Sequence, residues 1–549
     1  MASGPRSWFR LAVVVLALCL GAWLRLRGLA ELPLHGDEYH TLLRGAEGAD
    51  LAAASYAQIL GEFDTVGSHV PLPLLQRLSL DLFGPGVGSM RLVAIVPGLL
   101  LLLLAYPWLR SFVGADAAAL ATLALALNPM VVFYSRFARG YVLALLLAFA
   151  LGWALVRLLD PERRTRAAWI ALVAAATLLP WVHLSALGYV LALGLAGLAL
   201  AWRESRALAL RLLAALALAG GLCLLLYVPV LGAVVSYFRV MESEPPPLSW
   251  LGVPTLLAGG RVAAWIALAL LAAAVPLAWR TRRASVVLGL AGLAGPLALL
   301  FATQPRGMDY AWARYVMSGL PVLAGLWALA LTELGARFLR GGTAGLALGA
   351  ALLLAQLALG PLGPRAPRDG AFSNTYLALH PLPAFDEPWP GTPAFYRSLA
   401  EEPGARRIVE IPALLTRAVL LYRNYALQHG KEVWIGWPGE LPAGIRGPPY
   451  ARPLGLAPGE ADYLVLHKDQ VAEVPEYFRF VYEEAWPRLR VAEDETFMRR
   501  QETIYGQNLV DAAKLAPIAA RLAEVHGAPC FEDERIVVWR LPAAGEEGR

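Results

Sequence analysis

Near the start of the chain, His35-Gly-Asp-Glu-Tyr-His40 sets two adjacent carboxylates between two imidazoles. A carboxylate in such a setting can take a proton from an attacking hydroxyl or amine while its neighbour tunes or orients it. The same residues also suit a solvated loop or a helix start, where acidic groups meet the positive end of the dipole. A second group, Tyr134-Ser-Arg-Phe-Ala-Arg-Gly-Tyr141, brings Arg136, Arg139 and Tyr141 together along the chain. Arginine grips phosphate oxygens in pairs, although at a membrane boundary it can equally extend its head group to water. A third group, Gly307-Met-Asp-Tyr-Ala-Trp-Ala-Arg-Tyr315, places Arg314 beside Tyr310, Trp312 and Tyr315. Aromatic rings are routine at membrane interfaces, so Arg314 is the informative residue there. Ser68-His-Val-Pro-Leu-Pro73 offers His69, and His183 ends another apolar stretch. His35, Asp37, Glu38, His40 and His69 could hold a divalent ion, but their spacing fits no metal template. The expectation is therefore no cofactor, with a divalent metal near Asp37 and Glu38 as the alternative.

These groups need elements to carry them, and the composition says which. The chain has 549 residues, 58% hydrophobic and 16% charged, with a mean hydropathy of +0.54. Soluble domains are about half apolar and about a quarter charged. The apolar residues fall in runs long enough to cross a bilayer, which takes about 20 residues. Eleven spans are expected, at roughly 8–25, 92–110, 117–134, 141–159, 167–183, 186–202, 210–235, 261–279, 284–302, 313–332 and 343–361. The first run continues into Arg25-Leu-Arg27 without a small-residue cleavage site, so it reads as an uncleaved span.

Arg6 and Arg10, then the arginines near 157–166, 203–211, 280–283 and 337–340, fall in alternate connections and mark a cytoplasmic face. The N-terminus is thus expected inside and the C-terminal region outside. The carboxylate pair, Arg136, Arg139, His69, His183 and Arg314 then all share the outer face, most of the early ones in one long loop over 27–91. The formal net charge of +5 is spread as small clusters between apolar runs. That is not the footprint of a nucleic-acid binder. The three cysteines define neither a disulfide framework nor a metal site.

Beyond about Pro361 the apolar runs shorten to strand length. Ile408–Ile411, Val433–Ile435, Tyr463–Leu466 and Ile536–Leu541 read as buried strands, with a helical pattern over Thr416–Gln428. The fold expected is a polytopic α-helical membrane domain over 1–361 and a small extracytoplasmic α/β domain over 362–549.

One order of features ties these pieces together. A basic N-terminus and first span precede Asp37-Glu38 early in a long outer loop. A His-x-Pro-Leu element follows, then Gly84 before Met90-Arg91, then Tyr-Ser-Arg-x-x-Arg-x-Tyr, and later Arg314-Tyr315 running into a span with Pro321. This order, over roughly the first 330 residues, resembles the GT-C glycosyltransferases that use polyprenyl-phosphate sugars. Those nearest in pattern are the protein O-mannosyltransferases and the lipid A aminoarabinose transferases. The resemblance implies inverting transfer of a sugar from a lipid phosphate to a lipid, glycan or protein acceptor outside a bacterial inner membrane. It implies Asp37 as general base and Glu38 as its positioning partner. Arg136, Arg139 and Arg314 would hold the departing phosphate, with His69, Tyr141 and Tyr315 as further substrate-binding residues. Pro73 stands where many relatives carry an aromatic. A multi-span lipid or glycolipid transporter or flippase is the alternative. It would call for internal repeats and charged or broken helices near the bilayer midplane. A non-catalytic scaffold would leave the outer arginines and carboxylates unexplained.

Overall fold

In lipid a backbone has to satisfy its own polar groups, so long apolar runs fold as helices. The computed structural model describes residues 5–29, 38, 55–61, 70–84, 86–240, 252–279, 282–303, 309–339, 343–362, 392–411, 422, 425–426, 428–435, 437–438, 453–454, 459–468 and 512–543. The chain divides into two units, one of Met1–Leu29, Ile59–Leu75 and Arg91–Thr375, the other of Ala30–Gln58, Gln76–Met90 and Tyr376–Arg549.

The first unit contains α1 (Pro5–Leu26), and α2 (Pro71–Phe83) and α3 (Val87–Val113) begin or end in it. It continues with α4 (Ala115–Leu127), α5 (Pro129–Arg136), α6 (Tyr141–Leu159), α7 (Arg166–Val182), α8 (Leu187–Glu204) and α9 (Arg206–Tyr227). After these come α10 (Arg261–Trp279), α11 (Arg283–Thr303), α12 (Asp309–Val316), α13 (Leu320–Phe338) and α14 (Ala344–Leu359). Among the described residues, eight helical stretches are long and apolar enough to cross a membrane, and the bent pair α4–α5 makes a ninth. Of the other two expected ranges, α7 has 17 residues and α14 has 16, at the short limit for a span. The chain is a multi-pass membrane protein.

The expected run over 117–134 is not one straight helix. Asn128 takes an extended backbone and α5 leaves α4 at 55°. The sequence Leu127-Asn-Pro explains the break. The Asn128 side chain caps α5 by accepting from the Val131 N–H at 3.1 Å, and Pro129 follows at the first helical position, where its missing N–H is harmless. The bend aims the end of α5, with Tyr134 and Arg136, toward the end of α1.

Small residues set the helix crossings. α8 meets α11 where Gly188 faces Gly295, and a Cβ on Gly295 would lie 2.2 Å from the Gly188 carbonyl oxygen. Leu155, Leu172, Leu193 and Leu212 join α6, α7, α8 and α9 in one core. At one end of the bundle Arg6 and Arg10 both pair with Asp116, Arg10 Nε lying 2.8 Å from its Oδ1. Arg164 pairs with Glu204, and Arg282 donates to the Phe112 carbonyl at 3.3 Å. These are the connections whose basic residues mark one face in the sequence.

The second unit contains a five-stranded mixed sheet. Its strands are β1 (Arg407–Ile411), β2 (Glu432–Ile435), β3 (Tyr463–His467), β4 (Phe531–Glu532) and β5 (Ile536–Arg540), in the order β2-β1-β3-β5-β4. The first three are parallel and β5 runs antiparallel to both β3 and β4. All four stretches expected as strands are here. Of the expected helix over Thr416–Gln428, Tyr422, Tyr425, Ala426 and Gln428 are helical and the rest lies outside the described residues. α15 (Ala394–Glu401), with Tyr422, Tyr425 and Ala426, covers one face, burying Tyr396, Tyr422 and Tyr425. α16 (Ala512–His526) covers the other through Ile518 and Leu522.

Within the first of these layers, Glu410 and His467 are fully buried and bonded, Oε2 to Nε2 at 2.7 Å. The Tyr396 hydroxyl donates to the same carboxylate, 2.7 Å from Oε1. Burial and the Glu410 charge push the Tyr396 phenol well above its ordinary pKa, so it stays a donor.

Candidate active site

Tyr134, Tyr141, Arg314 and Tyr315, singled out in the sequence, gather with His183 at the bundle end opposite Asp116. α5 delivers Tyr134 and Arg136, and a short bend carries buried Arg139 to Tyr141, the first residue of α6. α7 stops at His183, whose extended backbone turns the chain into α8. Its Nδ1 lies 2.6 Å from the Ser185 hydroxyl in the turn that follows, which fixes the imidazole plane. α12 brings Arg314 and Tyr315.

The rings form a continuous chain. Tyr134 and Tyr141 have centroids 4.5 Å apart, Tyr141 and His183 4.8 Å, and His183 and Tyr315 5.7 Å. The Arg314 guanidinium lies over two of these rings, 5.5 Å from Tyr141 and 5.1 Å from Tyr315, and donates to the Tyr315 hydroxyl at 3.3 Å. Each such cation–ring contact is worth about 0.5–2 kcal/mol, more where water is excluded. The result is a cation held on an aromatic shelf at a helix end, an arrangement that can receive an anionic oxygen without first reorganising.

Arg136 is placed differently. Its two amino groups donate to the Leu24 carbonyl at 3.4 Å and the Arg27 carbonyl at 2.7 Å, so it ties α5 to the last turn of α1. Arg91 makes a similar bond to the Leu29 carbonyl at 2.6 Å. Helix C-termini leave carbonyls unbonded and favour cations, which accounts for both.

Arg25 supplies a contact that the sequence reading did not contain. It is fully buried in α1 and donates to Ser135 Oγ at 3.1 Å and to the Gly21 and Ala126 carbonyls at 2.8 and 3.1 Å. A buried guanidinium bonded this fully pins α1 against the α4–α5 bend.

Glu38 belongs to the second unit, where it is buried and its carbonyl accepts from Gln76 Nε2 at 3.5 Å. Asp37, His35, His40 and His69 lie outside the described residues. Among those described, no three His, Cys, Asp or Glu side chains are arranged to hold a metal ion.

No protein-family model and no curated protein sequence matches the chain. Solved structures do. The structure of ArnT from Cupriavidus metallidurans bound to undecaprenyl phosphate aligns over 100% of both chains at 15% identity, with a TM-score of 0.50. The fold is that of this ArnT structure. The oligosaccharyltransferase of Archaeoglobus fulgidus aligns at 12% identity over 88% of this chain and 72% of its own, with a TM-score of 0.48. Another structure of that archaeal protein carries zinc and sulfate. The mycobacterial arabinofuranosyltransferase AftD aligns at 18% identity over 85% of this chain and 35% of its own, with a TM-score of 0.49.

Among the clustered residues, sequence reasoning named Tyr141, Arg314, Tyr315 and Tyr134, but gave His183 only a lone imidazole's weight. The signal that could have raised it is Ser185 two residues on, a partner that local chain geometry brings within reach.

Proposed function

We propose that the chain is a membrane glycosyltransferase that moves a sugar from a polyprenyl-phosphate donor to an acceptor on the extracytoplasmic face, with inversion. The observation that carries this reading is the Arg314 guanidinium held over Tyr141 and Tyr315 at a helix end of a GT-C fold. Binding of undecaprenyl phosphate by the full-length match in fold supports a lipid-phosphate donor.

As the glycosidic bond breaks, negative charge collects on the leaving phosphate. Arg314 and Arg139 stabilise that charge, and Tyr141, Tyr315 and His69 contact the substrate. Arg136 acts by holding the ends of α1 and α5 in register. Asp37 takes the proton of the acceptor hydroxyl or amine as the new bond forms, and Glu38 orients it. Acceptors that are lipids, glycans or proteins all fit this chemistry. The chain sits in a bacterial inner membrane with its N-terminus on the cytoplasmic side and its C-terminal region outside. A divalent ion near Asp37 and Glu38 would act by orienting the acceptor oxygen.

The test is transfer from a polyprenyl-phosphate sugar in proteoliposomes. Asp37→Asn is expected to lower turnover by about 10²–10⁴-fold, the range of a lost general base, with the fold intact by thermal melting. Full activity in that variant removes Asp37 from the reaction. Adding a chelator checks the divalent ion in the same assay.

A further inference from the structure

Away from the aromatic shelf, α10 and α14 both pack against α13 yet diverge from each other. Between them lies a cleft of about 530 Å³. Its walls are apolar, from Ile266 and Leu270 on α10 to Leu352 and Gly349 on α14. Ile266 and Leu352 are exposed at 44% and 43%, so the cleft opens sideways where lipid would lie. From Arg261 to Leu270 it follows α10 for about 14 Å, roughly half the hydrocarbon core.

The polar groups collect where α10 begins. Arg261 is exposed and has no ion-pair or hydrogen-bond partner among the described residues. The Trp327 indole N–H lines the cleft, buried, with no acceptor among the described residues. A buried donor without a partner is costly, and an oxygen entering the cleft would relieve that cost. Asn128 and Gln356 also line this part, but their amides already donate to the Leu257 and Ala258 carbonyls.

A slot of hydrocarbon character, open to the membrane, with one cation at its head among the described residues and a waiting N–H inside, fits one ligand chemistry. We propose that this cleft binds one hydrocarbon chain of an anionic bilayer phospholipid. Its phosphate pairs with Arg261 and an ester or phosphate oxygen accepts from Trp327. The cleft is built from α4, α10, α13 and α14, whereas the aromatic shelf comes from α5, α6, α12 and the α7–α8 turn. The site therefore goes beyond the proposed donor phosphate site and does not depend on it. A polyprenyl phosphate shares the phosphate and the hydrocarbon chain but has no ester oxygen, and the experiment separates the two.

The full chain is delipidated in detergent and offered phosphatidylglycerol, phosphatidylcholine or undecaprenyl phosphate, and retained lipid is counted by native mass spectrometry. The wild type should retain one anionic lipid in preference to phosphatidylcholine. Retention of phosphatidylglycerol supports the phospholipid, and retention of undecaprenyl phosphate alone overturns it. Arg261→Gln should lower retention about five-fold, the factor of one arginine beside an anionic head group, and Arg261→Lys should restore most of it. Ile266→Trp, which plugs the cleft from an exposed position, should abolish retention, with Leu352→Trp as the plug from the facing wall. Equal retention of all three lipids, or retention unchanged in Arg261→Gln and in both plugged variants, overturns the site. Unchanged retention in Trp327→Phe overturns the indole contact.

Discussion

A single guanidinium does different work depending on what faces it. Arg314 lies on two rings, Arg136 on the carbonyls that end α1, and Arg25 is enclosed by Ser135 and backbone oxygens. All three read alike in the sequence. If Arg314 receives the leaving phosphate, Arg314→Ala should lower kcat/KM for the donor by about ten- to a hundred-fold. That is the size of one lost charge-assisted hydrogen bond. Arg314→Lys should recover part, since lysine keeps the charge but not the planar stack. Steady-state kinetics against donor concentration check both. An equal effect on an unrelated property such as melting temperature would make Arg314 structural. Arg136→Ala, in contrast, should lower thermal stability along with activity, because it leaves the Leu24 and Arg27 carbonyls without that donor.

Helices place these side chains, and their breaks matter more than their lengths. The Asn128-Pro129 break turns α5 by 55°. Asn128→Ala removes the cap on Val131 and the bond to Leu257. A lost cap costs about 1 kcal/mol, so a lower melting temperature is expected, together with weaker donor use, because α5 carries Tyr134. Unchanged kinetics in that variant would uncouple the bend from the site. At the α8–α11 crossing, Gly295→Val would drive a side chain into the Gly188 backbone. The helices would have to part, and a large loss of folded protein is expected on size-exclusion chromatography.

At the scale of the whole molecule, the two units answer to different solvents. The membrane unit rests on close helix packing, the α/β unit on a sheet buried on both faces. His429 in the latter is held unprotonated, its pKa lowered to about 3 by burial and by Lys431. Its Nδ1 already accepts from the Lys431 N–H at 3.0 Å. An unfolded histidine titrates near 6.5, so between about pH 6.5 and 3 the unfolded chain binds the extra proton. Stability from this residue is therefore full above about pH 6.5 and falls as pH drops, by up to about 1.4 kcal/mol per pH unit. Melting curves of the full chain from pH 7 to 4 should show that slope, reduced in His429→Asn. Identical slopes would place the acid sensitivity elsewhere.

The sequence by itself determined the class of fold. The eleven apolar runs reappear as helical stretches, one of them bent at Asn128, and the four strand-length runs after Pro361 reappear as strands. Run length and periodicity are local properties, and the membrane leaves helices as the economical answer for the long runs. The carboxylate pair Asp37-Glu38 and His69 stand in the sequence only as residue types in a suggestive order. Only the tertiary structure decided which polar residues meet. The approach of Tyr141, His183 and Arg314 joins three separate stretches of chain, and the Glu410–His467–Tyr396 network joins two strands and a helix. Strand order, the α4–α5 bend and the apolar cleft beside Trp327 belong to the same class. Each depends on how helices and strands pack across long separations in sequence, and local propensity carries no record of that.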